Sequence, residues 1–216
     1  MHSRSPRKFL PLRRHDLVVI EPRPEAPEPM ISMWCENGWP LVARRPTSSD
    51  ADGVALGLPL PPSQGKKRLS LVVQIDEILS VQPPLALDSV TRMAPQDWLP
   101  TVERIAQLAI EHELDVRVFG SLGWSVVTGL DYLTSTSDLD LLLYVAADTD
   151  LERVIGRLAQ IQAMAPMRLD GEFVRGDGVG ANWQEFRRSA GDVLVKSLDG
   201  AAFVDRRRFL VGSTAI

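Results

Sequence analysis

The hydrophobic pattern changes character near the middle of the chain. Beyond residue 91 the apolar positions fall into long, regular blocks. Val102, Ile105, Leu108 and Ala109 recur at the 3.6-residue spacing of a buried helix face, with Thr101 placed to cap it. Leu114–Phe119 alternates Asp115 and Arg117 against Val116 and Val118, which reads as a strand ending at Gly120-Ser121. A helix is expected from there to Leu133. The run Asp138-Leu139-Asp140-Leu141-Leu142-Leu143-Tyr144-Val145 follows. It is apolar on both faces after its first residues, as a central strand covered on both sides must be. Thr149 and Glu152 have capping-box spacing ahead of a helix carrying Leu151, Val154, Ile155, Leu158 and Ile161. Met167–Val174 and Asp192–Lys196 supply two further strands.

The first half is punctuated differently. Thirteen of the 16 prolines fall in residues 1–90, and a residue without an amide donor cannot sit inside a central ladder. Short strands joined by ordered loops are expected, at Leu17–Ile20, Pro40–Ala43 and Leu69–Ile75, with Pro22–Pro29 and Pro46–Gly53 as surface loops. The pattern predicts an α+β or α/β protein. A small β-rich domain spans residues 1–90, and a domain of alternating helices and strands spans residues 91–216.

Composition narrows the chemistry. The 24 Lys and Arg against 28 Asp and Glu give a net charge of −4, which argues against nucleic acid as a partner. One cysteine, Cys35, permits no intramolecular disulfide, and His2, His15 and His112 are too scattered for a histidine metal site. Any metal must be held by carboxylates. No run approaches the roughly 20 apolar residues of a membrane span. The basic start (Arg4, Arg7, Lys8, Arg13, Arg14) lacks the apolar core of a signal peptide. A cytoplasmic location with no membrane partner is expected.

Three features then stand in order: Gly120-Ser121, Asp138-Leu139-Asp140 and Asp170-Gly171-Glu172. Residues i and i+2 of a strand share a face, about 6.6 Å apart. Asp138 and Asp140 therefore present paired carboxylates, which need a raised pKa or a compensating cation. Mg2+ suits such hard oxygen ligands and is commonly shared with substrate phosphates. Asp170 or Glu172, on a neighbouring strand, would complete the metal set; the two share a face, so spacing does not choose between them. Gly120-Ser121, at a strand-to-helix turn, offers amides and a hydroxyl to phosphate oxygens. Together these point to transfer of a phosphoryl-type group from a polyphosphate donor.

That order resembles the signature of the DNA polymerase β-like nucleotidyltransferase superfamily, which implies a mixed sheet flanked by helices for residues 91–216. The flanking motifs are more specific. They comprise Arg14-His15-Asp16-Leu17, Pro40-Leu41-Val42-Ala43-Arg44-Arg45, Gly57-Leu58-Pro59-Leu60-Pro61, Lys67-Arg68, Val118-Phe119-Gly120-Ser121-Leu122-Gly123-Trp124, Thr128-Gly129-Leu130-Asp131-Tyr132-Leu133, Ser137-Asp138-Leu139-Asp140 and Val193-Leu194-Val195-Lys196. In this order they resemble the phosphoribosyl-dephospho-coenzyme A transferases of malonate decarboxylase, its holo-acyl-carrier-protein synthases. The resemblance implies 2′-(5″-triphosphoribosyl)-3′-dephospho-coenzyme A as donor and a serine of the apo acyl-carrier subunit as acceptor. Pyrophosphate is the leaving group, Mg2+ the cofactor, and Asp138 and Asp140 the catalytic pair.

Other roles follow by inference. Ser121 and the amides after Gly120 are expected at the β- and γ-phosphates, and Lys196 at a phosphate. Arg44, Arg45, Lys66, Lys67 and Arg68 form a basic group suited to the donor or to an acidic carrier protein. Arg14, His15 and Asp16 are expected in a salt-linked structural role, Trp124 in the core and Asp131 at the surface. Two alternatives remain: a nucleotidyltransferase that uses an ordinary nucleoside triphosphate, and a catalytically silent binding module of the same fold. The retained aspartate pair argues against the second, because unused adjacent carboxylates cost stability.

Overall fold

The computed structural model describes residues 12–24, 28–50 and 52–211; His2, Arg4, Arg7 and Lys8 lie outside the described residues. The chain divides into two compact units, Met1–Pro84 and Leu85–Ile216.

The first unit contains β1 (Leu17–Ile20), α1 (Pro29–Glu36), β2 (Leu41–Ala43), β3 (Val54–Pro59), β4 (Arg68–Val73) and β5 (Ile78–Gln82). The strands form one sheet in the order β4-β3-β2-β1-β5, with antiparallel pairing throughout. Three of these elements were not expected from the sequence: α1, β3 and β5. Proline at the head of α1 has its φ already set for a helix and loses no bond there. The helix buries Ile31, Trp34 and Cys35, and the Trp34 indole N–H donates to the Pro40 carbonyl at 2.9 Å. Asp16 is buried, and its Oδ2 accepts from the Arg13 amide at 2.7 Å, closing the turn into β1.

The second unit runs β6 (Leu85–Ala86), α2 (Leu87–Val90), α3 (Leu99–Glu111), β7 (Asp115–Val118), α4 (Gly120–Thr128), β8 (Leu139–Tyr144), α5 (Leu151–Met164), β9 (Leu169–Val174), β10 (Gly180–Asn182), α6 (Trp183–Arg188), β11 (Asp192–Lys196) and β12 (Ala201–Asp205). Its sheet has the order β12-β11-β10-β9-β8-β7-β6. Only β8 and β9 pair in parallel, joined through α5; the other neighbours are antiparallel. The α+β reading holds, with a small antiparallel sheet and a mixed sheet carrying helices. Residues 85–90, expected with the first half, belong to the second unit, because β6 extends the larger sheet beside β7.

Alternation along β8 and β9 builds the core. Leu139, Leu141, Leu143, Leu169 and Phe173 point to one side, where they pack with Val102, Ile105 and Leu108 of α3 and Val154, Leu158 and Ile161 of α5. Asp140 and Asp170 therefore fall on the other face. Phe186 of α6 is buried between the rings of Phe173 and Phe209, with edge-to-face centroid distances of 5.5 and 5.0 Å.

Three local expectations differ from what forms. The third helix begins at Leu99, with Pro100 in its first turn, so Thr101 lies inside it and is 1% exposed. α4 stops at Thr128, not Leu133, because Gly129 takes φ +72 and closes the helix in the left-handed region. Asp150, not Thr149, caps α5, accepting from the Arg153 amide at 3.1 Å. The Thr149 hydroxyl instead accepts from Ala146 N at 2.9 Å and shapes the preceding turn.

Replacing Phe186 with Ala should remove about 3–5 kcal/mol of stability. Urea unfolding followed by tryptophan fluorescence measures it, and a loss below about 1 kcal/mol would show that the three-ring cluster is not central to this unit.

Candidate active site

The site begins with a backbone irregularity. β7 ends at Val118, and the Phe119 amide donates to the Asp140 carbonyl at 3.1 Å, so the chain stays in register with β8 for one residue more. Gly120 then turns into α4 with φ +63, a left-handed conformation that favours glycine. A Cβ there would run into the carboxylate of Asp140 and stand 2.9 Å from the Asp140 Cβ. No side chain of its own caps α4. Asp140 does so from across the sheet, accepting a hydrogen bond from the Ser121 amide. A carboxylate at the positive end of a helix is favourable.

Register sets the other acids. In the parallel pair, Asp140 lies directly opposite Asp170, and Leu139 opposite Leu169. Asp138 is therefore level with Arg168, whose carbonyl accepts from the Leu139 amide at 2.9 Å. The Arg168 guanidinium is ion-paired to Asp138 and stands 3.6 Å from Asp170 Oδ2. Asp170 Oδ1 accepts from the Asn182 side-chain amide at 2.8 Å, and the Asn182 carbonyl caps α6 through the Gln184 amide at 2.9 Å. Burial, and then the charges of Asp170 and Asp138, push the Asp140 carboxyl up from 3.8 to about 7.

Asp138, Asp140 and Asp170 are thus gathered at the starts of two parallel strands, beside Gly120-Ser121. Glu172 is not with them: it lies opposite Leu142, two residues further along, with its carboxylate over Gly180 of β10. Lys196 pairs with Gly180, which pairs with Val174. It shares the sheet face of the acids but sits about 13 Å further along and two strands across. The Ser121 amide, expected at a phosphate, is engaged by Asp140.

The expected basic group of the first unit is not one cluster. Arg44 is spent on its own loop: it holds Asp50 through both terminal nitrogens at 2.8 and 2.6 Å and donates to the Leu56 carbonyl at 3.1 Å. That pairing raises the Arg44 pKa. Arg45 follows it at one end of β3, whereas Lys67 and Arg68 enter β4 at the other end, where Arg68 pairs with Pro59. Lys66, Lys67 and Arg68 are exposed. Trp124 is buried and Asp131 exposed, as expected.

Oxygen-only ligands and closely spaced negative charge suit a hard divalent cation. Among the described residues, no set of three or more His, Cys, Asp or Glu side chains is arranged to hold a metal as it stands. The Arg168 guanidinium is the cation that Asp138 and Asp170 face. The oxygen donors of the three aspartates are of the type that Mg2+ takes.

Residues 13–84 match the family described as the phosphoribosyl-dephospho-CoA transferase MdcG N-terminal domain, and residues 85–207 match the corresponding C-terminal domain. The chain belongs to the phosphoribosyl-dephospho-CoA transferase family. A relative of that name from Bradyrhizobium diazoefficiens is 44% identical over 214 residues, covering 94% of this chain and 95% of the relative. One from Xanthomonas campestris pv. campestris is 37% identical over 202 residues, covering 89% and 94%, and one from Pseudomonas syringae pv. tomato 28% over 198 residues, covering 88% and 90%. No solved structure matches the chain. The division between the two family domains, at 84/85, coincides with the division between the compact units. No helix among the described residues is long and apolar enough to cross a membrane.

Sequence reasoning missed two residues of this cluster, Arg168 and Asn182. Arg168 carried a signal that could have been used, since it stands two residues before Asp170 and so on the same strand face. Asn182 carried none, because its contact depends on the pairing of β9 with β10.

Two outcomes are expected. Gly120→Ala should displace Asp140 and lower the transfer rate about a hundredfold, with circular dichroism unchanged in shape; near-normal transfer would mean that the glycine is only a turn residue. Asp140→Asn keeps an acceptor for the Ser121 amide but removes the charge. The folded-state pKa of Asp140 lies above the unfolded one, so ionisation penalises the fold. That penalty is absent below about pH 4, grows towards pH 7 and is complete above it. Asp140→Asn should therefore raise Tm by a few degrees at pH 8, with no gain near pH 4; an equal gain at both would contradict the assignment.

Proposed function

We propose that this chain transfers the 5-phosphoribosyl-3′-dephospho-coenzyme A group from 2′-(5-triphosphoribosyl)-3′-dephospho-CoA to a serine of the apo acyl-carrier subunit of malonate decarboxylase. The observation that carries this reading is the meeting of Asp138, Asp140 and Asp170 beside the head of α4, within a chain that matches both domains of the transferase family. The serine oxygen forms a bond to the α-phosphorus of the donor, the bond from that phosphorus to the bridging oxygen breaks, and pyrophosphate departs with the electron pair. The hydroxyl proton is assigned to Oδ2 of Asp170, a reading supported by the Asn182 amide donating to its Oδ1.

Asp138 and Asp140, with Asp170, would hold Mg2+, which when bound supplies positive charge to the triphosphate and to the departing pyrophosphate. The remaining work belongs to the chain. The capping contact between Asp140 and α4 fixes the depth of the acid pair. The two-sided packing of β8 keeps that pair from moving when charge develops. The Ser121 hydroxyl, at the first turn of α4, is assigned to the donor; Arg68, which opens β4, and Lys67 before it are assigned to the carrier.

Intact-mass analysis tests the reading. Apo acyl-carrier subunit is incubated with the protein, Mg2+ and the coenzyme-derived triphosphate, or with ATP alone. A gain of one phosphoribosyl-dephospho-coenzyme A group, seen only with the first donor and lost on chelation, is expected. Asp138→Asn should lower its rate by about a hundredfold or more. A gain of one nucleotide from ATP alone would replace this reading with that of an ordinary nucleotidyltransferase, and no gain from either donor would leave the silent module.

A further inference from the structure

Arg168 stands at the edge of the acid cluster. Its backbone is fixed in the β8–β9 ladder through the Leu139 amide. Its side chain is 61% exposed and faces two carboxylates, Asp138 in an ion pair and Asp170 at 3.6 Å. Asp140 adds its own charge to the attraction. Asp138, Asp140 and Asp170 outnumber the one arginine they face, and a divalent ion in its place brings twice the charge of the guanidinium.

We propose that Arg168 is a displaceable counter-cation: it occupies the acid cluster while the site is empty, yields to the divalent ion, and turns onto the phosphates of the donor. This rests on the transferase reading of the site. Three considerations support it. Exposed ion pairs are individually weak and held by flexible side chains, so the contact with Asp138 and Asp170 is cheap to break. A guanidinium released there stays tethered to the first position before β9, within reach of whatever the acids bind. Its planar fork matches two phosphate oxygens at once, which a lysine cannot reproduce. A donor carrying a triphosphate therefore binds the displaced state better, and this difference in affinity is what shifts the population.

The arrangement makes metal and donor binding interdependent. Without donor, Arg168 competes with the ion for Asp138 and Asp170. With donor, the arginine has a better partner, and the ion meets carboxylates free of competition. Empty sites stay closed to stray divalent ions, and the complete set of charges assembles only around a polyphosphate.

Mn2+ affinity, followed by electron paramagnetic resonance without donor, tests this independently of the transfer reaction. Arg168→Met should bind Mn2+ about tenfold more tightly than the natural chain. The same variant should raise KM for the triphosphate donor about tenfold or more, with kcat reduced less. Arg168→Lys should keep Mn2+ affinity near normal and still raise KM, because it retains the charge and loses the fork. Unchanged or weaker Mn2+ binding by Arg168→Met would overturn the proposal. Tighter Mn2+ binding by a protein that fails to use the coenzyme-derived donor would leave the counter-cation standing and remove the assigned substrate instead.

Discussion

One carboxylate governs the catalytic half of this molecule. Asp140 projects from β8 into the space that a side chain at residue 120 would fill, and satisfies the head of α4 from outside the helix. That contact joins the end of one strand, the start of a helix and the start of a neighbouring strand at a single point. The left-handed φ of Gly120 and the orphan amide of Ser121 both find their reason in it. A helix that lacks a side-chain cap of its own is here capped by a chemical group of the site, so the stability of α4 and the position of the acid are the same fact.

Concentrating three carboxylates has a thermodynamic cost, which the surrounding structure meets. Directly beneath them, Leu139, Leu169 and Phe173 are 0% exposed, so the strands carrying the acids cannot splay to relieve repulsion. Asn182 ties Asp170 to the cap of α6, and the indole of Trp183 donates to the Leu169 carbonyl at 3.3 Å. Arg168 supplies the remaining compensation. The cluster is thus held by packing from below and by a cation from above, and of the two only the cation can leave without disturbing the fold.

Much of this was legible in the sequence, for identifiable reasons. The run from Asp138 to Val145 could hardly be anything but a buried strand with an acidic head, and the order glycine-serine, paired aspartates, later acid is visible in the sequence itself. What stayed hidden depended on pairing. Asp170 and Glu172 are equivalent by spacing, and only the register that sets Asp170 opposite Asp140 separates them. β3 was obscured by Gly57 and Pro59, which weaken a strand signal although Gly57 serves the close approach of Val42, 3.3 Å from where its Cβ would stand. Arg44 looked like a ligand group because nothing in the sequence revealed that Asp50 folds back onto it. Thr101 has the chemistry of a cap, but Pro100 ahead of it already belongs to the first turn of the helix.

The mixed sheet carries a further consequence. In fully parallel sheets ligands collect beyond the carboxyl ends of the strands, yet here the acids stand at the amino ends of β8 and β9. The antiparallel β7 resolves this, because its carboxyl end, with Gly120, arrives at that same edge. The turn at residues 146–149 consequently lies at the far edge of the sheet, about 20 Å along the strand from Asp140. Relatives can lengthen or shorten that turn, or graft a peptide into it, without touching the chemistry. The segment from Gly129 to Ser137 has no such freedom. It is pinned where the Tyr132 amide donates to Ser125 at 3.3 Å and the Ser137 hydroxyl accepts from Thr134 at 2.9 Å, so evolutionary drift in chain length should collect on one rim of the sheet and be purged from the other.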